Sequence, residues 1–207
     1  MADPKLSNQK VLQREAIYVI GIHPEIAEES VLNQPRFFGQ FGPITKIFVS
    51  QKPYKLMKSD QYCYNAFITF EHPVSAALAV ISLDKFYFKS IRLQGSFGSN
   101  KICSYFSAGM TCLNKRCNFV HKKLEECELL PKENKHVPNR QNFEMHKSSA
   151  LSFLVSQIEE QNVPRFLYKY QPVKNRVLKN PYQILLSFHQ ELNLPFQKFK
   201  DNSQQKK

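Results

Sequence analysis

Three cysteines and a histidine within nineteen residues constrain this chain more than anything else in it. Cys103, Cys112, Cys117 and His121 stand in the spacing Cys-x8-Cys-x4-Cys-x3-His. A segment this short cannot bury a core of its own, so its folding must depend on what its side chains bind. Three thiolates and one imidazole make a complete tetrahedral donor set, the set that structural zinc prefers. All four positions are filled by protein and none is left for water or substrate. The set therefore points to one structural Zn2+ and away from catalysis. It takes three of the chain's five cysteines. An odd count with a metal-site spacing argues against disulfides and for a reducing compartment. Cys63 falls in a strand pattern and reads as a small buried hydrophobe. Cys127 has no role assigned to it.

The charge balance narrows the partner. The 207 residues carry a formal net charge of +12, with 42% hydrophobic residues, enough for an ordinary core. Such a balance calls for a polyanion, nucleic acid or an anionic membrane surface. No apolar run approaches the roughly 20 residues that cross a bilayer, and Met1 to Lys5 contains no apolar leader. No membrane role is expected. Around the four ligands, Lys101, Lys115, Arg116, Lys122 and Lys123 alternate with Phe106 and Phe119. Basic side chains can meet phosphates while aromatic rings meet bases, so the mixture favours nucleic acid.

Upstream, the apolar pattern changes period in a regular way. Residues 1–15 are polar and read as an N-terminal arm. Ala16 to Ile22 is a β-branched strand ended by His23-Pro24. Glu28 to Asn33 reads as helix, and a further helical turn after Pro35 carries Phe37, Phe38 and Phe41. Gly42-Pro43 is punctuation, and Ile44 to Gln51 is a second strand. Tyr62 to Phe70 is a third, with Tyr62, Tyr64, Ala66, Ile68 and Phe70 on one face and Cys63, Asn65, Phe67 and Thr69 on the other. Pro73 opens a helix at its tolerated first position, with Val74, Ala77, Leu78 and Ile81 at helical spacing. Ile91 to Phe97 is the fourth strand. The order β-α-β-β-α-β describes an α+β, ferredoxin-like layout over residues 16–99. Only Gly98 to Ile102 separate it from the first ligand, a linker short enough to hold residues 100–123 against one sheet edge.

The remainder reads as a linker over 124–146, a helical basic extension over 147–200 and a disordered tail over 201–207. Leu151, Leu154, Val155 and Ile158 recur at helical spacing. Asn180-Pro181-Tyr182-Gln183 offers a cap, a first-turn proline and a capping-box glutamine to a second helix, with Tyr182, Leu185, Leu186 and Leu192 as its apolar residues. From Asn162 to Lys207 nine Lys/Arg face two acidic residues, a local charge of +7. Phe166, Tyr168, Tyr170, Phe188 and Phe196 read as exposed anchors for a protein partner, and the bland alternative is a solvated face on helices that pack onto the main domain.

Two stretches resemble the signatures of RNA recognition motifs: Ile17 to Ile22 is similar to RNP2, and Cys63 to Phe70 to a degenerate RNP1. The Lys/Arg-Gly-aromatic opening of RNP1 is here Cys63, Tyr64 and Asn65, while the second aromatic, Phe67, is kept. Tyr18 and Phe67 should point away from the helices and stack bases, with Asn65 beside them. The alternative is a sheet face covered by protein, with the C-terminal helices as one candidate cover. The downstream ligands resemble a CCCH-type zinc finger whose central gap is one residue shorter than the common Cys-x8-Cys-x5-Cys-x3-His. In such fingers the positions of Phe106 and Phe119 stack on bases; the alternative is that they cover the metal.

The succession of recognition motif and finger, with Val31 to Ile47 and Ser99 to Phe106, resembles the fourth Not subunit of the Ccr-Not mRNA deadenylase complex over about residues 11–122. That resemblance implies Cys103, Cys112, Cys117 and His121 as zinc ligands and Tyr18 and Phe67 as sheet aromatics. Members of that family usually carry an N-terminal RING finger and act as ubiquitin ligases. The fifteen residues before the first expected strand contain no cysteine or histidine, so ligase chemistry is not carried over. The expectation is a non-catalytic single-stranded RNA-binding protein in the nucleus, the cytoplasm or both, contacting an RNA-processing or mRNA-turnover assembly through residues 147–200. The alternative is an adaptor whose recognition motif binds protein, at which Glu25, Glu28 and Glu29 hint, or a RING-less component of a ligase assembly. The Arg-x-Phe loop typical of protein-binding recognition motifs is absent between the second helix and the fourth strand.

Overall fold

The computed structural model describes residues 10–56, 60–115, 117, 119–123, 128–129 and 139–196. Arg116, Cys127, most of the expected 124–146 linker and the 201–207 tail lie outside the described residues. The first strand, β1, spans Lys10–Ile22 and starts six residues before the β-branched run. Lys10 to Gln13 pair with Gly98 to Lys101 in an antiparallel ladder, so the second half of the expected arm is strand. The side chains of this half are engaged as well. Val11 is fully buried, the Arg14 guanidinium lies over the rings of Phe97 (5.6 Å) and Phe153 (4.9 Å), and Glu15 pairs with Lys122 at 3.1 Å.

After β1 come a short helix α1 (Glu29–Leu32), a 3-10 turn (Phe38–Phe41) and β2 (Ile44–Val49). Phe37, Phe38 and Phe41 are all buried, as their clustering between Pro35 and Gly42 predicts. A two-residue strand β3 (Tyr54–Lys55) precedes β4 (Tyr62–Phe70). Helix α2 (Pro73–Ser82) has proline in its first turn and is buried from Val74 to Ser82. The apolar residues that read as the start of the fourth strand belong to a hairpin of β5 (Tyr87–Phe88) and β6 (Ile91–Arg92). The fourth main strand is β7 (Gln94–Lys101). The expected five-residue linker is thus the end of a sheet strand, and the metal-ligand segment follows it directly.

The main sheet runs β2-β4-β1-β7, all antiparallel, with β3 beside β4; β8 (Glu128–Leu129) pairs with Val11 and Leu12. Ile17, Val19, Ala66, Ile68 and Phe70 point from the sheet into one core with α2. Gly21 lies in the register shift of β1 between Val19 and Ile22, at φ +80°, where a Cβ would lie 2.2 Å from the Arg92 carbonyl oxygen. Only glycine fits such a position.

The C-terminal extension joins that same core. A four-residue helix, α3 (Ser104–Ser107), lies in the metal-ligand segment that precedes it. Helix α4 (Asn139–Glu159) packs against α2 and β7, and α5 (Pro181–Glu191) against α2. Ala150, Leu154, Ile158, Ile184 and Leu185 are buried with the sheet residues. Helix α4 begins eight residues before the 147 boundary, inside the expected linker. The Asn180 side chain caps α5 by accepting the Tyr182 N–H at 2.9 Å. Of the aromatics that read as exposed anchors, Phe166, Tyr168, Phe188 and Phe196 are partly buried against the core and only Tyr170 stands out. Tyr168, His189 and Phe196 form an edge-to-face cluster with ring separations of 5.1–5.6 Å. Both helices lie on the α2 side, so among the described residues they leave the opposite face of the central strands uncovered.

Candidate nucleic-acid interface and metal centre

On that uncovered face the strand register sets up an aromatic row. Tyr18 stands directly opposite Phe67, and Phe67 opposite Phe48. Directly opposed residues share a face, so Phe48, Phe67 and Tyr18 cross β2, β4 and β1 side by side, and Ser96 continues the row on β7. Tyr18 is 37% exposed and Phe48 44%. The Phe67 ring lies over Gly98 and Ala16: a Cβ on Gly98 would meet ring carbons of Phe67 at 2.8–2.9 Å. The missing side chain on β7 is what lets the ring lie down.

A shallow groove of about 310 Å³ runs along the row, lined by Tyr18, Phe48, Ser50, Asn65, Phe67 and Asn100. Asn65 is fixed by its backbone, since its N–H donates to Ser50 Oγ at 3.1 Å and its carbonyl accepts the Ser50 N–H at 2.8 Å. Its side-chain Oδ1 is buried without a hydrogen-bond partner. Burial pushes the Tyr18 hydroxyl above its ordinary value, so the phenol stays neutral and presents no negative charge to a phosphate. Phe48 escaped the sequence reading, which counted two sheet aromatics; its signal is the alternation within β2, where Ile47 packs on the core and Phe48 is exposed.

The four metal-ligand candidates converge. The sulfurs of Cys103, Cys112 and Cys117 and a ring nitrogen of His121 all lie within 4.8 Å of one another. Donors at tetrahedral zinc, with Zn–S near 2.3 Å, stand about 3.8 Å apart, so a small contraction closes the set. No disulfide joins them. The Cys103 thiol is held down to about 6, foremost by the Phe106 backbone N–H, with His121 and Cys112 adding hydrogen bonds against a burial cost. Cys112 is pulled down by the Asn114 N–H, yet burial and the neighbouring Cys103 and Cys117 raise it overall. Sulfurs crowded so closely that one thiol resists ionisation fit a cation well. The geometry can hold a metal ion, and its thiolate-rich donors suit zinc.

Backbone pairing ties this segment to the sheet. The Cys103 N–H donates to the Val120 carbonyl and the Val120 N–H to the Lys101 carbonyl, both at 2.9 Å. At the other side, Lys46 donates to the Cys117 carbonyl at 3.4 Å. Lys46 sits opposite Thr69, on the face that carries Phe48 and Phe67. The segment therefore leaves the β7 edge and reaches the β2 edge across one end of the open face, rather than staying at one edge. Phe106 stacks on the His121 ring at 5.6 Å and 19°, while Phe119 is 50% exposed. Of the expected basic residues, Lys115 is exposed, Lys101 is half-buried, and Arg116 is outside the described residues.

Comparison with known proteins agrees with this architecture. Residues 17–94 match the RNA recognition motif family. The chain is 31% identical over 141 residues to general negative regulator of transcription subunit 4 of Saccharomyces cerevisiae, covering 63% of this chain and 24% of that protein. It is 30% identical over 131 residues to the putative general negative regulator of transcription C16C9.04c of Schizosaccharomyces pombe, covering 62% and 26%. The chain thus spans about a quarter of the length of these curated relatives. Among solved structures it is similar to the Mip6 RRM3 domain (25% identity, 41% of this chain and 93% of that one, TM-score 0.32). It is also similar to the Rna15 RRM with bound RNA (GU) (24%, 46% and 94%, TM-score 0.31). No helix among the described residues is long and apolar enough to cross a membrane. With the β2-β4-β1-β7 sheet, its α2 backing and the family match in place, residues 17–94 are an RNA recognition motif, in a chain that resembles subunit 4 of the general negative regulator of transcription.

Proposed function

We propose that this chain binds single-stranded RNA without catalysing a reaction, through the open sheet face of its recognition motif and an adjoining CCCH finger that holds one structural Zn2+. The observation that carries this reading is the aromatic row Phe48, Phe67 and Tyr18, lying open along a groove with hydrogen-bonding side chains. Flat rings at strand spacing stack successive bases, each worth about 1–3 kcal/mol. Asn65 and Ser50 line the groove beside the rings, where polar side chains can meet a base edge. Lys46, Lys101 and Lys115 border the same end of the sheet and meet phosphates, as would Arg116.

In this reading Cys103, Cys112, Cys117 and His121 are structural, and they fold the loop that sets Phe119 and Lys115 beside the sheet. Phe106 serves the metal first, through its stack on His121. The chain would act as a subunit or adaptor of an mRNA-turnover or transcription-regulating assembly, in nucleus or cytoplasm, with the basic outer surface of residues 147–200 as its protein contact. The resemblance to subunit 4 of the general negative regulator supports that setting.

The test is a fluorescence-anisotropy titration with labelled single-stranded RNA of randomised sequence. Phe67→Ala together with Tyr18→Ala should lower affinity at least about tenfold, and affinity should fall steeply as salt rises. Affinity indifferent to both would refute the reading.

A further inference from the structure

The groove does not end at Ser96. Past Tyr18 it widens to about 580 Å³ and crosses β7 to the first turns of α4, where Phe143 and His146 line it. Its floor is polar, formed by Ser96, Ser99, Asn100 and Asn65, whose buried Oδ1 has no partner. Lys10 stands at its border. Helix α4 is firmly placed there. Lys147 donates to Asp84 Oδ2 at 2.7 Å, the His146 ring meets Phe97 edge-on at 6.5 Å, and Ala150 and Leu154 are fully buried one and two turns further on.

A flat ring beside a hydrogen-bonding floor, with a cation at the rim, has the chemistry that receives one nucleobase and its phosphate. A peptide side chain would use the rings and leave the polar floor unanswered. We propose that Phe143 and His146 of α4 are RNA-binding residues, which hold a base one nucleotide beyond the one stacked on Tyr18. The C-terminal extension then builds part of the RNA site as well as completing the core. This inference rests on the RNA-binding reading above.

The experiment is a length series: randomised single-stranded oligoribonucleotides growing by one nucleotide, titrated against the full chain and against Phe143→Ala with His146→Ala. For the unaltered chain, affinity should climb with length and make its last step when a base enters this pocket. The double variant should lose that last step, about tenfold, while binding the shorter oligonucleotides as before. An oligonucleotide whose terminal nucleotide is abasic should lose the same step against the unaltered chain. If the double variant melts early, Phe143→Leu, which keeps the apolar bulk and removes the ring, takes its place.

Equal loss at every length would make α4 a mere support of the sheet and overturn the inference. So would an unchanged series in which Phe67→Ala still weakens binding; the RNA reading would then stand alone. A series in which neither Phe67→Ala nor salt alters affinity would remove the RNA reading, and this inference with it.

Discussion

Between Ile17 and Phe97 the chain buries Phe37, Phe38, Phe41, Phe70, Leu78 and Leu93 almost completely. Between Cys103 and His121, among the described residues, only Cys103 and Val120 are buried, and Tyr105, Met110, Leu113 and Phe119 are each half exposed or more. The two segments are neighbours in space, joined by backbone hydrogen bonds, yet they are ordered by different physics. Apolar burial at about 25 cal/mol per Å² holds the sheet and its helices together. The finger has almost nothing to bury, and its one concentrated interaction is the meeting of four donor atoms. One part of the molecule should therefore respond to core substitutions and the other to loss of a metal.

The largest expected effect follows from that contrast. Stripping the metal with a chelator should unfold residues 103–121 while β1, β4 and β7 keep their protection. Hydrogen exchange reads it directly at Cys103, whose N–H donates to the Val120 carbonyl, and at Val120, whose N–H donates to the Lys101 carbonyl at the end of β7. If their protection is the same with and without chelator, the finger does not depend on metal and the contrast collapses. The reciprocal change is Leu154→Ala. Leu154 is fully buried against the recognition motif, so its truncation should cost about 2–5 kcal/mol and lower the unfolding midpoint of the sheet, with zinc content unchanged. An extension that unfolds alone, before the sheet, would show that the core is two cores.

How far the sequence revealed this division depends on how each segment is stabilised. Tyr62–Phe70 was legible because its core face is plainly apolar, and α2 and α5 because a proline marks each start. The four candidate ligands were legible because metal-donor residue types at a fixed spacing stand out in a sequence, and the fold brings their donor atoms within 4.8 Å of one another. Lys10 to Glu15 hid because their pairing partners, Gly98 to Lys101, lie almost ninety residues away and their charges are matched by rings and by Lys122. The fourth strand was misplaced because Gly95, Ser96 and Gly98 have poor strand propensity, while Ile91, where the apolar pattern begins, pairs with Phe88 in a separate hairpin. Those small residues are what the site requires, since a larger side chain at Gly98 would collide with Phe67. Phe48 hid for a related reason: a single outward aromatic means little until the register sets it opposite Phe67.

A subtler change separates the binding face from the core beneath it. Gly98 has no left-handed φ, so Gly98→Ala meets no dihedral penalty, but it drives a Cβ to within 2.9 Å of the Phe67 ring and of the Ala16 Cβ on β1. The ring must lift, at a cost of about 1–3 kcal/mol in stability and a loss of RNA affinity of about tenfold, with the metal still bound. Anisotropy titration and zinc analysis on the same preparation check both halves. Unaltered affinity would mean that the Phe67 ring does not stack a base.

The smallest effect belongs to the ion pair that fastens α4 to the end of α2. Burial raises the Asp84 carboxyl, but the hydrogen bond and charge of Lys147, together with the charges of Lys85 and Lys179, outweigh it, and the carboxyl sits below its ordinary value. A lowered carboxylate contributes stability above its unfolded value, near pH 3.9, and loses that contribution as pH falls through the folded value. Asp84→Asn should therefore cost less than about 1 kcal/mol at neutral pH, and the gap from the parent should close as pH drops below about 4. Urea midpoints of both proteins across that range read the difference. A gap of constant size would assign the cost to lost packing rather than to charge. The finger should fail at a higher pH on the same titration, because its thiolates and imidazole must be free of protons to hold metal. Its exchange protection should vanish in mildly acidic buffer, while α4 is still fastened by Lys147 and the sheet is intact.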